Sequence, residues 1–339
     1  MGDFFDDARA RLLLSGPRGR ELCVHVARML DDDVAEAWTL DAGYDTNPVF
    51  GRRLAAALQQ VDLVAVSALD DPLRLIRPLM DSIVSAMYWQ PPWTHEAVIG
   101  SDLVVAALEP MAGALVRAPA ASWWDFGVDR YTQHVVHWIY ERGGLDPSED
   151  WRLPTTPVAD PAAALARDGL LTSDWWSAPC GAGLLQSARV LGSLPVGLSL
   201  VEECTGDFEE AWVWGLEVDS ASRVREITGA ADWAALVADY PAVVDGHREW
   251  QTMTGRAGRW TLPDWRAIAQ DWDGVHLTVS GYLSAASRVL DLGDGTATMI
   301  AGFNPDHTFW LRDVVRVDPA PVHWCEREVG DDYVWEPAL

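Results

Sequence analysis

Lysine is absent from this chain: all 25 basic residues are arginine. That absence excludes a Schiff-base lysine for pyridoxal phosphate, a phosphate-loop lysine and a kinase-type lysine. Positive charge is scarce as well, with 25 basic against 51 acidic residues and a formal net charge of -26. A surface this negative repels phosphate backbones and anionic lipid, so neither nucleic acid nor membrane is expected as a partner. It suits solubility, or docking onto a basic protein. Cysteine is sparse: Cys23, Cys180, Cys204 and Cys325 form no CxxC pair and read as reduced thiols. The opening Met-Gly-Asp-Phe-Phe-Asp-Asp carries acid where a secretory leader needs base followed by an apolar run. No run approaches the roughly 18 apolar residues of a membrane span. A cytoplasmic location is the expectation. Neither a Ser-His-Asp signature nor a dinucleotide glycine fingerprint is found.

What remains is an ordinary globular composition, 49% hydrophobic and 22% charged, in 339 residues. Two domains are the default at this length. Residues 1–145 read as a mostly helical domain, with apolar residues at helical spacing through 21–30, 52–63, 72–88, 102–116 and 129–141. The short apolar run at 61–69 fits a strand equally well. Residues 146–172 read as a linker with a short helix at 161–168. Residues 173–339 read as an α+β domain. Strand-like runs there cover 196–202, 211–218, 223–228, 275–279, 296–302 and 307–312. Helices interrupt them at 232–240 and 263–272, the second with Pro263 at its first position. The expected fold class is therefore α+β: a mostly helical N-terminal part, then a mixed α+β domain with a largely antiparallel sheet.

Tryptophan is abundant. There are 19, and seven of them lie between Trp212 and Trp272. Period-two alternation puts Trp212, Trp214, Leu216 and Val218 on one face of a strand. Such indoles either fill a core or form a stacking platform for a planar ligand such as nicotinamide, adenine or a sugar ring. The pairs Trp123-Trp124 and Trp175-Trp176 cannot share one strand face, which places at least one indole of each pair at a boundary or cleft.

The most informative segment runs from Asp273 into a strand. Val275, Leu277 and Val279 face a core, while Gly274, His276, Thr278 and Ser280 face the other way, as the wall of a cleft or as an exposed sheet face. In Gly302-Phe-Asn-Pro-Asp-His-Thr-Phe-Trp310 a turn at Asn304-Pro305-Asp306 leads into a second strand. If the two strands are neighbours, Asp306, His307 and Trp310 meet Asp273 and His276. Weaker constellations are His134, His137 and Glu141 on one helix face, and His323 alternating with Cys325. Cys180, in a Pro-Cys-Gly loop, stands before a helix N-terminus where the dipole lowers a thiol pKa. Two ligands do not make a site, and no metal centre is expected.

The order Asp271-Trp-Asp-Gly-Val-His276, then Gly302 to Trp310, resembles ADP-ribosyltransferase-like folds. Pro195-Val-Gly-Leu-Ser199, Arg223-Val-Arg-Glu-Ile227 and Asp232-Trp-Ala-Ala-Leu236 precede it in the same order. The resemblance covers residues 173–316. It implies NAD as substrate, cleaved through an oxocarbenium-like state that a carboxylate stabilises. Arg189, Glu202 and Glu217 match the required residue types; the Glu-x-Glu pair of such enzymes is missing, with Asp271 and Asp273 the nearest substitute. The resulting expectation is an enzyme that binds a nucleotide or NAD-type molecule and acts on a small-molecule or protein substrate. Its catalytic residues are His276, Asp273 and Glu217; its ligand-binding residues are Arg189, Trp212, Trp214, Thr278, Asp306 and Trp310. The alternative is a non-catalytic, immunity-type protein that recognises a basic partner.

Overall fold

The computed structural model describes residues 2–41, 48–139, 172, 174–179, 184–203, 209–330 and 332–338. The expected linker, the short helix at 161–168 and Cys180 lie outside these. The fold is α+β, with helices concentrated in the first part and a mixed, mostly antiparallel sheet.

The helical part comprises α1 (Gly2–Ser15), α2 (Pro17–Leu30), α3 (Asp32–Asp41), α4 (Pro48–Leu58), α5 (Leu63–Ser67), α6 (Ile76–Val84), α7 (Thr94–Ile99) and α8 (Asp102–Arg117). Helix α8 is its axis. Val104, Leu108, Met111, Ala112 and Leu115 recur at helical spacing and are all buried, so one stripe faces the core. The run at 61–69 is helical rather than extended because the Asp62 carboxylate caps α5, accepting from the N–H groups of Val64 and Ala65.

One expected helix is a strand. Residues 129–141 contain β1 (His134–Ile139), whose Val, Val, Trp and Ile suit a pleated surface better than a helix. His134 and His137 therefore point to opposite faces and cannot share a ligand with Glu141, which lies outside the described residues.

The remaining strands are β2 (Leu185–Ala188), β3 (Val190–Leu191), β4 (Leu194–Pro195), β5 (Glu210–Val218), β6 (Val224–Ile227), β7 (Pro241–Val244), β8 (Trp260–Pro263), β9 (Gly274–Leu277), β10 (Leu290–Asp291), β11 (Ala297–Thr298), β12 (His307–Trp310), β13 (Val315–Val317), β14 (Val322–Val329) and β15 (Asp332–Pro337). The main sheet runs β15-β14-β5-β1-β2-β12-β9-β6, with β13 also on β5. Strand β1 thus sits between β5 and β2, strands from much later in the chain. A second sheet runs β10-β11-β8-β7.

Three boundaries differ from expectation for local reasons. Residues 196–202 open with a 3-10 turn (Val196–Leu198) rather than a strand. Pro263 ends β8, and Asp264 instead caps the Trp265–Asp271 helix, accepting from Arg266 and Ala267 N–H. Strand β9 stops at Leu277 because Thr278 caps the Val279–Ala285 helix, so Thr278 and Ser280 belong to a cap and a first turn rather than a sheet face.

One core joins the two parts of the chain. Leu22, Leu108 and Leu115 belong to the same buried cluster as Trp233, Val275, Leu277 and Leu283. Gly16, between α1 and α2, marks the closest approach: a Cβ there would stand 2.1 Å from the Leu283 carbonyl oxygen. No single helix among the described residues is long and apolar enough to cross a membrane.

Nine of the 18 described indoles are buried. Trp124, Trp233, Trp250, Trp260, Trp265 and Trp310 are fully buried. Four N–H groups find fixed acceptors: Trp233 on Thr298 Oγ1, Trp250 on the Trp175 carbonyl, Trp265 on the Ser177 carbonyl and Trp310 on Ser187 Oγ. Trp123 and Trp124 are both buried because they lie on a 3-10 helix (Pro119–Asp125), where the strand alternation assumed for them does not apply.

Candidate functional site: a closed ion ladder and an open arginine cleft

Strands β9 and β12 are neighbours. Thr308 pairs with His276 and Trp310 with Gly274. Asp306, held in a left-handed conformation at φ 58 by the turn ahead of β12, reaches back so that its Oδ1 lies 3.4 Å from His276 Nε2. On the other side of His276, Glu226 stands directly opposite in the parallel pair β6–β9, with Oε2 at 2.6 Å from Nδ1. Arg189 Nε donates to Asp306 at 2.7 Å, and its Nη2 donates to the Gly127 carbonyl at 2.9 Å. The result is a ladder, Glu226–His276–Asp306–Arg189, in which acidic and basic groups alternate.

Burial disfavours charge on His276, but hydrogen bonding to Asp306 and Glu226 outweighs it and raises its pKa. Both carboxyls are correspondingly lowered, against the burial that would raise them. His134 and His307 behave oppositely: burial takes them down to about 3 and about 4, and both remain neutral. They stand against Gly197, whose N–H donates to His134 Nε2 at 3.3 Å.

With Nδ1 engaged by Glu226 and the ring buried, His276 is poorly placed to take a proton from a ligand. His276 is fully buried and lines none of the clefts described here. The polar face expected to form a cleft wall is instead covered, by the segment that delivers the Gly127 carbonyl and the Val128 N–H to Arg189 and Glu226.

Of the residues expected at the site, His276, Asp306 and Arg189 come together. Trp310 lies under the sheet, donating to Ser187. The others do not join them. Asp273 points away: its carboxylate accepts from Arg223 N–H at 2.7 Å and pairs with Arg312 at 3.6 Å. Glu217 is exposed and paired with Arg316. Trp212 and Trp214 lie on β5, four strand positions from β9 or roughly 19 Å at the usual spacing, where Trp212 stacks on His323.

A second cluster of buried charge does open on a cleft. Pro17 at the first position of α2 is followed by Arg18, which is 1% exposed and pairs with Glu21 at 3.4 Å and with Glu96 at the start of α7. It also donates to the Ser82 carbonyl at 3.1 Å. Glu21 accepts from Ser85 Oγ at 2.5 Å and lies 3.3 Å from His95 Nε2. Burial would raise the Glu21 carboxyl, yet Arg18 and His95 hold it down at about 2. Nearby, Tyr88 donates to Glu202 Oε1 at 2.6 Å, and burial pushes Glu202 up to about 8.

Arg18, Arg20, Tyr88, Trp93, Glu96 and Arg288 line a cleft of about 600 Å3 between the helical part and the Val279–Ala285 helix region. Burial, then repulsion from Arg18 and Arg288, lowers the Arg20 pKa, and burial lowers that of Arg288. Arg20 Nε has no hydrogen-bond partner. Arg18 is already paired with Glu21 and Glu96, so the positive charge of this wall comes from Arg20 and Arg288, on a protein of net charge -26. Behind them, Tyr88 and Glu202 can pass a proton to whatever the cleft holds.

Arg18, Glu21, His95, Glu96 and Glu226 were not singled out from the sequence. Only the Arg18/Glu21 spacing within one helix was visible there; the partners come from 64 to 78 residues away. A larger cleft of about 1050 Å3, lined by Arg28, Arg77, Met80 and Trp335, lies between α2, α6 and the β14–β15 hairpin.

No protein-family model matches this chain, and neither a curated protein nor a solved structure does.

Proposed function

We propose that this protein binds a small anionic molecule bearing a flat ring, of the nucleotide class to which NAD belongs, in the cleft between Arg18, Arg20 and Arg288. The carrying observation is the convergence of these three guanidinium groups, with Arg20 Nε unpartnered, beside Trp93 and Tyr88. Guanidinium groups suit phosphate or carboxylate, and the two rings suit a planar moiety. A bound anion would relieve the repulsion and desolvation that lower Arg20. The volume is that of an ordinary small-molecule site.

The catalytic capacity of such a site would rest on Tyr88 and Glu202, a pair able to protonate a ligand near neutral pH. His276 then serves to hold the sheet in register.

Calorimetric titration with NAD, AMP and inorganic phosphate tests the reading. At least one should bind, and Arg20→Gln with Arg288→Gln should weaken it tenfold or more, with circular dichroism showing the double variant folded. Silence across the panel, or affinity unchanged in the double variant, overturns it. Release of nicotinamide on incubation with NAD would add the transferase chemistry; binding without release leaves a binding protein.

A further inference from the structure

We infer that Glu210, His323 and Cys325 form a binding site for a divalent transition-metal ion, of which Zn2+ is the natural occupant. Strand β14 carries His323 and Cys325 two residues apart, hence on one face. Strand β5 supplies the third group: its register places Glu210 directly across from Cys325 and Trp212 across from His323. Glu210 Oε2 lies 2.8 Å from His323 Nε2, and Cys325 Sγ lies 4.0 Å from the same nitrogen. All three donor atoms fall within 4.8 Å of one another. Donors at about 2.0–2.3 Å from a tetrahedral metal stand roughly 3.3–3.6 Å apart, so small side-chain rotations bring this set onto an ion.

The donor chemistry selects the ion. A thiolate with an imidazole favours Zn2+ and its neighbours over Mg2+ and Ca2+, which prefer oxygen alone. Two anionic ligands and one neutral ligand balance a dication, and binding replaces the Cys325 thiol proton, which leaves to solvent. The imidazole is already oriented, stacked on Trp212 with ring centroids 4.6 Å apart. Second-contact groups of this kind fix ligand geometry in metal centres. The face is accessible, with the His323 and Glu210 side chains 29% and 45% exposed. Three protein ligands leave a position for water. Glu336, across from Cys325 on β15, stands on the same face one strand step away.

This site is independent of the arginine cleft: it lies on β5 and β14, and none of its ligands lines that cleft. Its consequence is a clamp that ties the β14–β15 hairpin to the middle of the sheet.

Cobalt reports it directly. Titration of the reduced protein with Co2+ should give one equivalent of tight binding and a near-ultraviolet thiolate-to-cobalt charge-transfer band, abolished by added Zn2+ and unaffected by excess Mg2+. Cys325→Ser should remove the band, and His323→Ala should weaken binding at least tenfold; circular dichroism should show both variants folded. Glu210→Gln should weaken binding by about tenfold. Reading the same band in separate variants keeps the result independent of one misfolded protein. Absence of the band in the wild type overturns the assignment. So does a band that survives in Cys325→Ser, which would assign the thiolate to another cysteine.

Discussion

Two buried ion clusters, built from similar residues, face opposite ways in this molecule. The Glu226–His276–Asp306–Arg189 ladder is the more closed of the two: main-chain groups occupy its outer ends, His276, Asp306 and Arg189 are buried, and Glu226 is a third exposed. The Arg18–Glu21–Glu96 cluster is open, since Arg18 and Glu96 also line a cleft to which Arg20 and Arg288 add guanidinium groups hydrogen-bonded to the Leu14 and Ser284 carbonyls. Burial and perturbed titration alone do not distinguish a site from a staple. What distinguishes them is whether the cluster leaves something to be satisfied from outside.

The comparison breaks most visibly at the closed cluster. Asp306→Ala removes the buried carboxylate that pairs with Arg189 and faces His276, and should cost about 3–5 kcal/mol in urea unfolding, or prevent folding altogether. A loss under about 1 kcal/mol would show that the ladder is not holding the sheet.

Buried titratable groups should limit stability at both ends of the pH range. His134 and His307 titrate at about 3 and about 4 when folded, against a usual 6.5. The unfolded chain therefore binds more protons below 6.5, and stability should fall as pH drops from 6.5 toward 4. The lowered carboxyls of Glu226 and Asp306 act in the same direction at lower pH. Glu202 has the opposite sign: raised from 4.5 to about 8, it favours the folded state when protonated, so its contribution is lost as pH rises from 4.5 through 8. Glu202→Gln should flatten that alkaline limb and raise stability at pH 8 by about 1–3 kcal/mol. Denaturant melts across pH 4–9 check both limbs, and an unchanged alkaline limb in Glu202→Gln would refute the assignment.

The smallest effect is expected where the sequence placed catalysis. Glu217 is 61% exposed and answers only Arg316. Glu217→Ala should shift stability by no more than about 0.5 kcal/mol and leave ligand binding unchanged. A tenfold loss of affinity would return Glu217 to the site.

Much of the architecture is legible in the sequence because hydrophobic period and capping act locally. Helix α8 and strands β5, β6 and β12 lie close to where alternation and helical spacing put them. Strand β1 was misread because Val135, His137 and Trp138 satisfy a helical spacing as well as a pleat; only the partners β5 and β2 decide between them. His276 and Asp306 meet because β9 and β12 are neighbours, the condition on which the sequence made their contact depend. Glu226 escaped notice because the parallel register that sets it against His276 joins residues 50 positions apart. The Arg18 cleft was invisible for the same reason, as α2, α6, α7 and the Arg288 turn meet only in three dimensions.

Strand β1 carries a last consequence, for the order in which the chain can acquire its structure. Residues 134–139 leave the ribosome well before β2 and β5, yet they lie between them. Until residue 188 is synthesised this valine- and tryptophan-bearing strand has both hydrogen-bonding edges open, and the edge that β5 covers stays open until residue 218. Helices α1 to α8 can collapse early on local contacts, whereas the sheet must wait for pairings of high sequence separation. The vulnerable interval in the life of this protein is therefore during synthesis, and a chain truncated before β5 is expected to aggregate through β1 rather than persist as a helical fragment.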